Sequence, residues 1–159
     1  MTGRMPTQEE INDFVRAAAF EVIGKVDGFL EEYPQAVDGH NAHGDTALVL
    51  AAWVGRPDVV DLLLKRGANV NIICNQGFTA LISAAKMGRC DIARRLIDHG
   101  ADVAHRDDQG NTARDVAIEN KREEMVLFFD SYGHALKRDE KILSTLRRKK
   151  TKSPFGGRP

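Results

Sequence analysis

The sequence predicts an all-α fold, a solenoid of stacked helix-turn-helix units joined by β-hairpin-like loops. Three observations predict it: a motif that returns at a fixed interval, two short helical patterns inside each interval, and glycines at the helix ends. The interval is 33 residues, because Gly44, Gly77 and Gly110 stand that far apart. The same shift aligns Thr46, Thr79 and Thr112, then Ala47, Ala80 and Ala113, then Ala51, Ala84 and Ala117, and later Gly67, Gly100 and Gly133.

Each unit has a physical reading. Thr46, Thr79 and Thr112 stand at helix starts, where a hydroxyl accepts a hydrogen bond from an otherwise orphaned backbone N–H. The small pairs Ala51-Ala52 and Ala84-Ala85 let the first helices approach closely, and Gly55 or Gly88 ends each of them in a left-handed backbone. In the second helices Val59, Val60, Leu62, Leu63 and Leu64, matched by Ile92, Ala93, Leu96 and Ile97, give one buried stripe, while Asp61, Lys65 and Arg94 face solvent. Gly67 and Gly100 close these helices, and Ala68 to Asn71 and Ala101 to Ala104 lead toward the next unit. No unit buries its stripe alone; stacking supplies the core.

On these residues the sequence resembles the ankyrin repeat family. GDTALVLAAWVGRPDVVDLLLKRGANVN and GFTALISAAKMGRCDIARRLIDHGADV carry its helix, turn, helix, hairpin pattern, GNTARDVAIENKREEMVLFFDSYG resembles a terminal repeat, and Ile11 to Asp38 resembles a degenerate first one. The resemblance implies an ankyrin-repeat solenoid over residues 7–138, with repeats at about 11–43, 44–76, 77–109 and 110–138. The family's Thr-Pro-Leu-His is replaced by Thr46-Ala47-Leu48-Val49, Thr79-Ala80-Leu81-Ile82 and Thr112-Ala113-Arg114-Asp115. The histidine network between repeats is therefore missing, and packing of Val49 and Ile82 is expected in its place. Residues 1–6 are expected to be a flexible leader before a capping box of Thr7 and Glu10. Asp139 is expected to open a separate capping helix over 139–150, fraying from Arg147, and residues 151–159 to form a basic disordered tail.

Composition narrows the function classes. The 159 residues, 42% apolar, suit one continuous core. The 23 basic and 23 acidic residues cancel, but the seven basic residues from Lys141 onward meet no acid there, which leaves an acidic body and a basic end. The opening residues lack the apolar run of a secretory signal, and the apolar stretch Thr46 to Gly55 is too short to cross a bilayer. A cytoplasmic protein is expected, nuclear being an option, with Cys74 and Cys90 reduced.

No GxSxG, GxGxxG, phosphate-binding GxxxxGK[ST] or HExxH motif occurs, so neither catalysis nor a cofactor is expected. His40 and His43 have no partners at ligand spacing, and no metal site is expected. Cys90 stands where its sister repeat has Pro57, at a helix start whose dipole could lower a thiol's pKa; with no base beside it, a packing role is the stronger reading. Acid pairs such as Glu31-Glu32, Asp107-Asp108 and Glu123-Glu124 read as solvated faces.

Function then falls on positions the fold leaves free, the hairpin tips and the open edge of each first helix. Carried over from the family, these are His43, Asp45, Trp53 and Val54, then Ile73, Asn75, Gln76, Phe78, Lys86 and Met87, then Arg106, Asp108, Gln109, Asn111, Glu119 and Asn120. They gather the only Trp with a Phe, a Met, an Ile and a Val where polar residues are the norm, which points to a protein partner. The competing reading is that Trp53 and Phe78 pack between repeats. The alternative function is a nucleic-acid-associated factor meeting phosphates through Arg147, Arg148, Lys149, Lys150 and Lys152; the basic end lacks interleaved aromatics except Phe155, which argues against base stacking. The expected chain is monomeric when unbound and takes no small-molecule substrate.

Overall fold

The computed structural model describes residues 4–150, and in its last helix the side chains up to residue 135 and of Lys141 and Ser144. Eight α-helices occur among the described residues: α1 (Gln8–Phe20), α2 (Ile23–Glu32), α3 (Ala47–Val54), α4 (Pro57–Lys65), α5 (Ala80–Met87), α6 (Cys90–Asp98), α7 (Ala113–Glu119) and α8 (Glu123–Lys150). The chain divides into a unit ending at Val126 and a second one from Leu127.

The first unit is the repeat stack. Its first helices pack in succession, α1 on α3, α3 on α5 and α5 on α7, and the second helices follow as α2 on α4 and α4 on α6. The alanines make the first contact set possible: Ala18, Ala47, Ala51, Ala52, Ala80, Ala84, Ala85 and Ala117 are fully buried. Leu63, Val59 and Val60 of α4 and Ile92, Ala93 and Leu96 of α6 are equally buried, which makes their stripe the core of the second layer. Val49 and Ile82, at the positions of the family's histidine, are 4% and 1% exposed and pack as expected.

The helix ends follow from their residues. Thr46, Thr79 and Thr112 each accept a hydrogen bond from the backbone N–H three residues on, and Thr112 with Asp115, like Thr7 with Glu10, forms a full capping box. Gly55 and Gly88 end α3 and α5 at φ 94° and 72°. The N–H of Arg56, Arg89 and Arg122 then returns to the carbonyl of Ala51, Ala84 and Ala117, each at 2.9 Å. After α4 and α6, Gly67 and Gly100 stand at φ 87° and 88°.

A second series of arginine contacts, from side chains, links the repeats. Arg56 Nη1 donates to Glu21 O at 3.1 Å beyond α1, Arg89 Nη2 to Val54 O at 2.9 Å, and Arg122 Nε to Lys86 O at 2.9 Å. Each guanidinium satisfies carbonyls that the end of the preceding first helix leaves open. The seat of Arg89 is the tightest: a Cβ on Gly55 would lie 2.6 Å from Arg89 Cζ.

Among the described residues of the leader, Arg4 donates to Glu10 at 2.6 Å and to the Tyr33 hydroxyl at 2.7 Å. α8 runs through Gly133 without a left-handed residue. The helix expected from Asp139 is the continuation of α8, and the backbone stays helical past Arg147 to Lys150. One helical glycine costs about 1 kcal/mol, which the helix-forming Ala, Leu, Lys, Arg and Glu around it outweigh. Residues 151–159 lie outside the described residues.

Candidate functional site

The hairpin tips are built alike. Asn41, Cys74 and Asp107, at the 33-residue spacing, donate their N–H to the carbonyls of Asp45, Phe78 and Asn111 at 2.9, 2.8 and 2.9 Å. Gly44, Gly77 and Gly110 turn each tip with positive φ. Neighbouring tips are tied: Asn75 Nδ2 donates to His43 O, and Asp108 N donates to Gln76 O at 3.1 Å. Further down, His105 Nε2 lies 2.9 Å from Gly77 O, a contact between the two ends of one repeat.

Three hollows adjoin along the tips and first helices. The middle one, about 430 Å³, is lined by His43, Asp45, Val49, Leu50, Trp53, Asn75, Gln76, Phe78, Ser83 and Lys86. A hollow of about 190 Å³ shares Gln76, Phe78 and Lys86 with it and adds Asp107, Asp108, Gln109, Asn111, Val116, Glu119 and Asn120. A third, about 330 Å³, shares His43 and Leu50 with the middle one and adds Asn12, Asp13, Arg16, Phe20, Asn41 and Ala42.

Lys86 organises the centre. Its ammonium lies 5.2 Å from the centre of the Trp53 ring and 5.1 Å from that of Phe78, so one cation bridges two half-buried aromatics. The rings are thus partly packed between repeats and partly open. Beneath them Ser83 Oγ is buried without a hydrogen-bond partner among the described residues.

The structure brings together most of the residues singled out in the sequence. His43, Asp45, Trp53, Asn75, Gln76, Phe78, Lys86, Asp108, Gln109, Asn111, Glu119 and Asn120 line the two hollows that meet at Lys86. Val54, Ile73, Met87 and Arg106 line none of the three; Ile73 is 55% exposed and Arg106 donates to Gly110 O at 2.6 Å. Sequence reasoning missed the first repeat's share: Asn12, Asp13, Arg16 and the 72% exposed Phe20. The signal was available, because Phe20 is Trp53 moved back by one 33-residue period.

Gln76 is the tip residue with a backbone outlier, φ 63° and ψ 18°, and it lines two of the hollows. At the outer tips Asn41 Oδ1 accepts from the N–H of His43 and Asp45, and Asp107 Oδ1 from those of Gln109 and Asn111, all at 2.9 Å. Cys74 holds the equivalent place with a weak sulfur acceptor, and its thiol points instead to Thr46 Oγ1 at 3.9 Å. Burial pushes the Cys74 thiol up.

The other chemical candidates are quieter. The Cys90 thiol is raised, by burial first and then by Glu124 and Asp91, so the carboxylates and desolvation outweigh the helix dipole that could have activated it. His43 and His40 offer backbone carbonyls, to Asn75 Nδ2 and to Gln8 Nε2, the latter at 2.8 Å. Among the described residues no group of three or more His, Cys, Asp or Glu is placed to hold a metal ion, and no helix is long and apolar enough to cross a membrane. Arg147, Arg148, Lys149 and Lys150 lie on α8 with side chains outside the described set, as is the whole of Lys152.

Residues 63–117 match the family model for ankyrin repeats in many copies, and residues 43–75 match that for the ankyrin repeat. The NAD-capped RNA hydrolase NUDT12 of Macaca fascicularis and that of Pongo abelii are each 36% identical to this chain over 70 residues. That stretch is 44% of this chain and 15% of either relative, too little of the hydrolase to bear on catalysis here. With the 33-residue period, the paired helices and glycine turns, and two family models covering the central repeats, the chain is an ankyrin-repeat protein, of a family of protein–protein interaction modules.

Proposed function

We propose that the chain is a non-enzymatic adaptor or inhibitor that captures a partner protein on the face formed by its first helices and hairpin tips. The repeat body, residues 7–138, is the binding domain in this reading. The observation that carries it is the run of three adjoining hollows centred on half-open Trp53 and Phe78. Solvated faces favour polar side chains, whereas interface cores favour Trp, Phe and other large residues ringed by polar ones. Trp53 is the central anchor; truncating such a residue commonly costs about 2 kcal/mol or more of binding.

Affinity capture with mass-spectrometric identification tests this, comparing the natural chain with the double variant Trp53→Ala, Phe78→Ala. The expected outcome is loss of the captured partner with a nearly unchanged helical melting transition. A variant that keeps its partner removes the face from consideration, and one that unfolds makes the two rings core residues. The partner face acts without a cofactor, in the cytoplasm, from a monomer.

The second reading is phosphate contact through the basic end, favoured by seven basic residues and no acid from Lys141 onward. Duplex DNA binding that persists at moderate salt, and vanishes when residues 147–159 are deleted, would place it first.

A further inference from the structure

Charge along the three hollows is lopsided. Two cations line them. Arg16 is already matched, by Asp13 at 2.9 Å and Glu21 at 3.5 Å, and Lys86 lies over the rings of Trp53 and Phe78. Of the carboxylates in the same lining, Asp107 is committed to its own loop amides. Asp45, Asp108 and Glu119 make no ion pair among the described residues, and Glu119 only accepts from Asn111 Nδ2 at 3.2 Å. Two of these three, Asp108 and Glu119, sit together in the hollow beyond Lys86 and are exposed. Toward the opposite end Phe20, Leu50 and Trp53 supply apolar surface, flanked by Asn12, Asn41 and the paired Asp13 and Arg16.

We propose that the occupant of this face is an extended segment of another protein that carries an apolar side chain and, further along, a lysine or arginine. The apolar side chain seats against Phe20, Leu50 and Trp53; the cation meets Asp108 and Glu119. This deepens the reading of the face as the binding surface and rests on it. An acidic segment would meet three unpaired carboxylates with only Lys86 to receive it, whereas a basic one removes the imbalance. The spacing follows from the stack. Trp53 on α3 and Glu119 on α7 are two helix intervals apart, about 16–20 Å at 8–10 Å each, which extended chain covers in about five or six residues.

Panning a phage library of random peptides, about twelve residues long, against the full chain at physiological salt tests this. The expected enrichment pairs an aromatic or aliphatic residue with Lys or Arg about five or six positions away. A synthetic peptide of the most enriched sequence is expected to perturb the fluorescence of Trp53, the chain's single tryptophan. Its affinity is expected to fall about tenfold or more with Asp108→Lys plus Glu119→Lys, and to weaken with rising salt. The milder pair Asp108→Asn plus Glu119→Gln, checked by circular dichroism for an unchanged melt, separates lost charge from lost fold. Acidic or neutral sequences that still need Trp53, or no enrichment at all, overturn the basic segment and leave the binding face standing. Enriched peptides indifferent to both Trp53→Ala and Phe78→Ala overturn the face itself.

Discussion

The middle hairpin tip and its two neighbours share one backbone but are held by different chemistry. All three close with the same N–H to carbonyl bond, at Asn41, Cys74 and Asp107, and turn on a glycine. The outer two add a side-chain oxygen that takes two loop amides. The middle one has sulfur there, and Gln76 adopts a left-handed conformation that costs a non-glycine residue on the order of 1 kcal/mol. The repeat period dictates the path of the chain; the residue type at one position decides how firmly that path is held. The middle tip, without that internal bracing and tied instead to both neighbours through Asn75 and Gln76, is the one between the two hollows that meet at Lys86.

The comparison assumes equivalent repeats beneath the tips, and core truncation breaks it if that is wrong. Leu63→Ala and Leu96→Ala, both fully buried at matching places in α4 and α6, are expected to cost similar amounts, about 2–5 kcal/mol, in denaturant or thermal unfolding. A large disparity would mean that the two repeats are not structurally interchangeable. Next in size, Asn41→Ala and Asp107→Ala are each expected to destabilise by about 1–3 kcal/mol, whereas Cys74→Ala changes the melt little. A Cys74→Ala loss as large as the other two would dissolve the contrast. Gln76→Gly is expected to stabilise by about 1 kcal/mol or less, because glycine adopts positive φ without strain and gives back part of the gain as unfolded-state entropy.

The smallest effect is electrostatic. Hydrogen bonds from Thr112 hold the Asp115 carboxyl below its ordinary range, and those from Thr7 and then Arg4 do the same for Glu10. Both folded-state values are depressed, so the stabilisation is present above the unfolded pKa and is lost as pH falls through the folded one. A modest decline in melting temperature is expected from about pH 5 downward. Thr112→Val is expected to flatten the part that belongs to α7.

The fold was legible because its determinants are local and repeated. Threonine caps, left-handed glycines and an apolar stripe each act within a few residues, and the 33-residue shift makes each one visible three times over. Gly133 keeps the period without ending a helix: no hairpin sequence follows it, and strong helix formers carry α8 onward. The site was legible where it obeyed the period. His43, Trp53, Phe78 and Lys86 come together as the alignment implies, whereas Met87 and Val54, each one residue further along the helix, fall outside the hollows. The first repeat's Phe20 was passed over because its surroundings have drifted from the family pattern, although its position had not. What sequence could not supply was the sharing of one ammonium by two rings. That depends on how α3, α5 and a hairpin tip meet in space.

The arginines at 56, 89 and 122 give the stack a direction. Each finishes a helix that belongs to the repeat before it, so a repeat is complete only once its successor has folded against it. Truncation after Asp98 would remove Arg122 and leave the end of α5 unsealed, while Arg89 would still seal α3. Loss of order is therefore set to travel backward along the chain, one repeat at a time, with the newest end always the least secure.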